Sequence, residues 1–230
     1  MFYLSCMEEL SVNFQFKARY FKTGILTDRT REVWFVLHGY GQLAGHFIKK
    51  FAVLEQHGIC VIAPEGLSRF YLSDLSPGSR RANDRVGATW MTKENRLTDI
   101  ENYISYLTEV YQAEMRGLNI PVTIVGFSQG SATVSRWAMS GKIAFDRLIL
   151  WAGIFPPDMD FGNGSQILSR KKVVLVYGKR DPFLNDDRFA EMKSLTEKLG
   201  VEVIRIEFDG EHEIHAPTLL HLVTRDDSPS

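Results

Sequence analysis

Short runs that are apolar at nearly every position punctuate this chain of 230 residues. They include Val33-Trp34-Phe35-Val36-Leu37, Ile59-Cys60-Val61-Ile62-Ala63 and Pro121-Val122-Thr123-Ile124-Val125, with further runs at 145–151 and 172–177. A strand that is apolar on alternate residues buries one face, whereas a strand apolar throughout buries both. Both faces are buried when helices cover the two sides of a parallel sheet. Helical spacing alternates with these runs, at 44–56, from Glu94 onward, at 187–199 and at 213–223, with a last strand at 201–208. The fold class expected is therefore α/β, with a mainly parallel central sheet and helices on both faces. The opening differs. Val12, Phe14, Phe16, Ala18 and Tyr20 alternate with polar residues, which predicts a half-exposed antiparallel strand at the sheet edge.

No internal repeat or low-complexity segment interrupts this pattern, so residues 1–230 are read as a single domain. A hydrophobic content of 44%, a charged content of 24% and a net charge of −1 describe an ordinary globular surface. Nothing in that balance points to nucleic acid or to acidic membranes. No apolar run is long enough to span a bilayer. The first residues lack the positive region of a secretory signal. Cys6 and Cys60 do not make a disulfide framework, which fits a reduced, cytoplasmic setting.

The run at 121–125 leads into Gly126-Phe127-Ser128-Gln129-Gly130, and a helical segment follows at once. A serine with glycine two residues away on each side, at a strand-to-helix junction, is the nucleophile elbow. A serine hydroxyl needs a base, and the base needs an acid to orient it. In open parallel sheets such groups gather on loops at the carboxyl ends of strands. Asp181 follows the run at 172–177 and is the candidate acid. The final strand leads to Asp209-Gly210-Glu211-His212-Glu213-Ile214-His215, where two histidines compete. His212 lies nearer the strand end and is the candidate base, with His215 as the alternative. Ser128, Asp181 and His212 then fall in the chain order of an α/β-hydrolase triad. The candidate oxyanion donors are the backbone N–H groups of Gln129 and of Tyr40, in the loop Leu37-His38-Gly39-Tyr40-Gly41-Gln42. His38 is read as a brace for that loop. No His, Asp or Glu spacing resembles a metal site.

Together these residues resemble the phospholipase/carboxylesterase family of α/β-hydrolases, which includes the acyl-protein thioesterases. The resemblance rests on Leu37-His38-Gly39-Tyr40-Gly41, Ile62-Ala63-Pro64-Glu65-Gly66, Gly126-Phe127-Ser128-Gln129-Gly130, Gly178-Lys179-Arg180-Asp181-Pro182 and Gly210-Glu211-His212-Glu213-Ile214. It implies a serine carboxylesterase that needs no metal or cofactor and cleaves short acyl esters through an acyl-enzyme. Acyl-protein thioesterase and lysophospholipase are the alternatives within the class. A non-catalytic ligand-binding protein of the same fold is the rival outside it, but such proteins usually lose the serine, histidine or glycine turn kept here. The expected partner is a small acyl ester, with no stable membrane insertion, and the chain is expected as a monomer or homodimer.

Residues 64–93 carry no clear period, and a segment that long is usually functional or mobile. It holds Arg69, Arg80, Arg81 and Arg85, read as a solvated loop with an anionic head group as the sharper alternative. The family often has Trp-Phe-Asp before its long helix, where this chain has Trp90-Met91-Thr92. Trp90 and Phe155 are the candidate walls of an apolar substrate pocket, although Phe155 fits a core position equally well.

Overall fold

Successive side chains of a strand point to opposite faces, and on the second strand that alternation divides the core in two. The computed structural model describes residues 7–27, 29–72, 85–159 and 161–224. Along β2 (Glu32–Leu37), Val33, Phe35 and Leu37 enter one apolar cluster, while Trp34 and Val36 enter the other. The first cluster is closed by Tyr103 and Leu107 of α2 (Arg96–Met115), Val134 and Trp137 of α3 (Gln129–Met139), and Leu195 and Leu199 of α5 (Asp186–Leu199). The second is closed by α1 (Ala44–Phe47), the 3₁₀ helix Ile48–His57 and α6 (Ala216–Thr224).

Seven strands form the central sheet in the order β1-β3-β2-β6-β7-β8-β9. The others are β1 (Tyr20–Thr23), β3 (Ile59–Pro64), β6 (Val122–Phe127), β7 (Arg147–Trp151), β8 (Lys172–Gly178) and β9 (Val203–Phe208). Every pair is parallel except β1 with β3. The expectation of a mainly parallel sheet with one antiparallel edge strand therefore holds. A separate antiparallel pair, β4 (Ser68–Tyr71) with β5 (Val86–Thr89), lies between β3 and α2 in the chain. The helix α4 (Gly164–Leu168) precedes β8.

Several boundaries differ from expectation. The edge strand begins at Tyr20, where the alternating pattern ends. Tyr20 lies opposite Pro64, the last residue of β3, and beyond one further main-chain bond, from the Glu65 N–H to the Arg19 carbonyl at 3.2 Å, the chain before it joins no ladder. Val12, Phe14 and Phe16 are instead exposed. The segment at 44–56 is one α-helical turn followed by a 3₁₀ helix, which ends at Gly58 with φ 72°. At the start of α2 Leu97 is exposed, whereas Tyr103, Leu107 and Val110 are buried. Asn185 caps α5, its side chain accepting from the Arg188 N–H at 3.0 Å. The irregular stretch 64–93 contains the β4–β5 hairpin. Arg80 and Arg81 lie outside the described residues, as does Cys6, and Arg69 is paired with Glu65. Among the described residues no helix is long and apolar enough to cross a membrane.

Candidate active site

Ser128 stands between β6 and α3 at φ 54°, ψ −116°, a backbone conformation that a residue with a side chain adopts only under strain. Its surroundings enforce the turn. A Cβ on Gly126 would lie 2.2 Å from the Gly130 carbonyl oxygen, and one on Gly130 would lie 2.3 Å from that of Leu37. Both contacts are with backbone, so only glycine fits. The Ser128 N–H donates to the Trp151 carbonyl at 2.9 Å, and the Ser131 hydroxyl donates to the Gly126 carbonyl at 2.7 Å. The turn is thereby fastened to the end of the neighbouring strand and to its own helix.

β8 and β9 are adjacent, and their ends bring Asp181 and His212 together. Lys179 and Arg180 donate their N–H groups to the Phe208 and Gly210 carbonyls at 2.9 and 3.0 Å. A Cβ on Gly178 would lie 2.4 Å from the Glu211 carbonyl oxygen, so the two loops meet backbone against backbone. His212 Nδ1 lies 2.8 Å from Asp181 Oδ2. The other oxygen, Oδ1, accepts the Phe183 N–H at 2.9 Å. The Asp181 side chain is fully buried and that of His212 is 20% exposed. A carboxylate at Nδ1 selects the tautomer with its proton there, leaving the lone pair on Nε2. The imidazole packs against Phe127, which precedes Ser128 in the chain, at 4.9 Å, and against Phe183 at 4.7 Å. His215 is engaged elsewhere. It stacks on Phe208 at 4.8 Å, and its Nδ1 lies 2.8 Å from the Thr218 hydroxyl.

Two groups of backbone amides flank the serine. In the loop after β2, Gly39 donates to Gln42 Oε1 at 2.9 Å, Gly41 to the Ala88 carbonyl at 2.9 Å and Gln42 to the Gly39 carbonyl at 3.3 Å. Tyr40 N–H is the amide of residues 39–42 that has no acceptor among the described residues. Gln129 is the first residue of α3, where an amide has no acceptor within its own helix. The helix dipole adds positive potential at that end.

His38 is fully buried beneath the first loop. Its Nε2 accepts the Gly66 N–H at 3.0 Å, which leaves Nδ1 to donate to the Gly39 carbonyl at 2.8 Å. Burial lowers its pKa from the ordinary 6.5, so the ring is held neutral. Trp90, expected as a pocket wall, is instead a core residue: its ring lies 5.0 Å from that of His38, and its indole N–H donates to the His38 carbonyl at 2.8 Å. Phe155 is also fully buried and belongs to the core beside α3. Neither side chain faces solvent next to Ser128. Among the described residues, exposed apolar side chains near it include Tyr40, whose ring lies tilted 5.2 Å from that of Phe70, and Phe183, which packs on His212.

Two features escaped sequence reasoning. Phe183 both orients the Asp181 carboxylate through its N–H and covers the His212 ring, and its place two residues after Asp181 is the signal that could have found it. The Gln129 side chain reaches Thr89, Trp90 and Met91, contacts that nothing in the sequence reveals. Cys60 is a buried thiol whose pKa burial pushes up to about 11, which makes it unreactive at neutral pH. Among the described residues no group of three or more His, Cys, Asp or Glu is placed to hold a metal ion. A cavity of about 260 Å³ lined by Glu32, Ile59, Arg147 and Lys172 lies at the amino ends of the strands, opposite the serine.

No curated protein matches the chain. Solved structures do. Acyl-protein thioesterase 2 of Zea mays superposes with a TM-score of 0.64 at 14% identity, covering 90% of this chain and 96% of that one. A Bacillus cereus carboxylesterase gives 0.62 at 16% identity, covering 90% and 92%. A phospholipase/carboxylesterase from Dyadobacter fermentans gives 0.59 at 18% identity, covering 90% and 95%. Likeness at such identities is one of fold, the α/β-hydrolase fold. The sequence model of the serine hydrolase (FSH1) family matches residues 32–220, a span running from β2 into α6 and taking in Ser128, Asp181 and His212, and the chain belongs to that family of serine hydrolases.

Proposed function

We propose that this serine hydrolase is a carboxylesterase that cleaves short acyl esters through an acyl-enzyme on Ser128. The observation that carries the reading is the His212–Asp181 pair, 2.8 Å apart, its imidazole packed on Phe127, the residue before a serine in the strained elbow conformation. His212 Nε2 takes the Ser128 proton as Oγ attacks the acyl carbonyl carbon. The backbone N–H groups of Tyr40 and Gln129 hold the oxygen as its negative charge develops. Asp181 keeps the imidazole in the required tautomer and stabilises the imidazolium. Collapse of the tetrahedral species expels the alcohol, which leaves with the proton from His212. Water then attacks the acyl-enzyme with His212 again as base, releasing the acid and restoring Ser128.

Exposed Tyr40 and Phe183 at the rim, with Trp90 and Phe155 committed to the core, support a small acyl group bound near the surface. The test is a panel of aryl esters graded in acyl length, with thioesters of the same acyl groups alongside. The proposal expects the highest kcat/KM at the short end, with activity abolished in Ser128→Ala. Rates that climb steadily with acyl length would overturn the short-acyl part. Activity retained in Ser128→Ala would overturn the mechanism.

A further inference from the structure

Both amides assigned to the oxyanion hole are fastened to one short segment, residues 88–91. On the side of Tyr40, Ala88 exchanges two main-chain hydrogen bonds with the loop: Gly41 N–H donates to the Ala88 carbonyl at 2.9 Å, and Ala88 N–H donates to the Gln42 carbonyl at 3.1 Å. The Trp90 indole N–H adds a bond to the His38 carbonyl at 2.8 Å. On the side of Ser128 the fastening is a side chain. Gln129 Oε1 accepts the Trp90 backbone N–H at 3.2 Å, and Gln129 Nε2 donates to the Met91 carbonyl at 3.0 Å. The Thr89 hydroxyl lies 3.0 Å from Gln129 Oε1 and 2.9 Å from the Met91 carbonyl, and donates to one of them. The segment has little room to shift. A Cβ on Gly87 would lie 2.5 Å from the Gly41 carbonyl oxygen, and one on Gly66 would lie 2.6 Å from that of Thr89.

We infer that the Gln129 side chain is a positioning residue, splinting the start of α3 to residues 88–91 and so fixing the separation of the Gln129 and Tyr40 amides. The inference rests on the oxyanion-hole reading above. Its physical basis is geometric. Two donors stabilise an oxyanion only if they converge on the place where its charge develops, and these two come from loops almost ninety residues apart. The first amide of a helix is not restrained by a hydrogen bond within that helix. The glutamine side chain pairs with the backbone of Trp90 and Met91 as a neighbouring strand would, and supplies that restraint.

The test compares Gln129→Met, which keeps side-chain length and the main-chain N–H but makes no amide bonds, with the unsubstituted protein. A fluorophosphonate titration to its end point counts correctly folded sites, so kcat is expressed per titrated site. The expected result is a fall in kcat on the order of 10- to 100-fold with KM changed by less than about threefold. Affinity for an arylboronic acid, whose tetrahedral adduct on Ser128 occupies the hole, is expected to weaken by the same factor as kcat. Gln129→Glu, tested where its carboxyl is ionised, cannot donate to the Met91 carbonyl and is expected to lose at least as much. A glutamine that merely stabilises the fold would lower Tm and the number of titratable sites while leaving kcat per site and boronate affinity unchanged, and that result overturns the inference. Wild-type activity per site in Gln129→Glu overturns it equally. A protein with glutamine in place that fluorophosphonate does not label at Ser128 points to failure of the underlying hydrolase reading instead.

Discussion

Asp181→Asn isolates the acid proposed to orient His212, because two neighbours make demands of its carboxylate that an amide cannot both meet. Oδ2 faces His212 Nδ1 at 2.8 Å and Oδ1 accepts the Phe183 N–H at 2.9 Å. Asparagine offers one acceptor oxygen. If that oxygen stays on the Phe183 N–H, the NH₂ group faces His212 and selects the tautomer with the lone pair on Nδ1. Nε2 then carries the proton and has no lone pair for Ser128. If the amide turns over, its NH₂ group meets the Phe183 N–H, donor against donor, in a site where the Asp181 side chain is fully buried. The first arrangement is favoured, because a buried donor left without an acceptor costs about 1–3 kcal/mol. The wrong tautomer costs on the order of 10³- to 10⁴-fold in kcat, or about 4–5.5 kcal/mol of transition-state stabilisation. The assay is steady-state ester hydrolysis, with Tm and fluorophosphonate stoichiometry to show that folded sites are counted. A kcat within about tenfold of wild type in a folded variant would show that Asp181 does not set the His212 tautomer.

Three further outcomes follow from particular contacts. Gly130→Ala drives a Cβ to 2.3 Å from the Leu37 carbonyl oxygen and is expected to destabilise the protein by about 3 kcal/mol or more, read as a lower urea midpoint; an unchanged midpoint counts against the close approach. His215→Ala removes a stacking partner of Phe208 and a contact with Thr218, and is expected to cost about 1 kcal/mol of stability while kcat stays near wild type. Loss of activity there, with activity kept in His212→Ala, would reverse the choice of base. His38 is held neutral by burial, its pKa lowered from 6.5. Below pH 6.5 the unfolded chain therefore takes up a proton that the folded one resists, until pH falls through the lowered folded value. Stability from this group is complete above pH 6.5 and declines as pH falls below it, with a slope of at most about 1.4 kcal/mol per pH unit. Urea titrations across that window should show a shallower slope in His38→Phe, and an identical slope would contradict the assignment.

The parallel strands were legible because burial on both faces leaves apolar runs that no alternating pattern imitates. The edge strand was legible as a strand but not in its position. Its alternation continues back to Val12, yet the ladder stops where β3 ends at Pro64, a limit set by a partner some forty residues away. The hairpin of β4 and β5 was not legible, since Gly87 and Ala88 carry no strand signal and are fixed by contact with Gly41 and Gln42. Trp90 illustrates the same limit. An indole beside a substrate loop reads as a wall, and only the carbonyl of His38, 52 residues earlier, makes it core. For Asp181 and His212 the sequence supplied their places after two strands; that β8 and β9 are neighbours, and that their loops meet at 2.8 Å between side chains, is a property of the folded sheet.

If Ser128 carries the acyl group during turnover, the group can be trapped there. Protein turning over an aryl ester is quenched in acid, digested, and its peptides weighed by mass spectrometry. The expected product is a peptide spanning Ser128 heavier by the acyl group less one hydrogen, the modification assigned to Ser128 by fragmentation and absent from Ser128→Ala. An acyl group found on another residue during turnover, or sustained hydrolysis by Ser128→Ala, would contradict it.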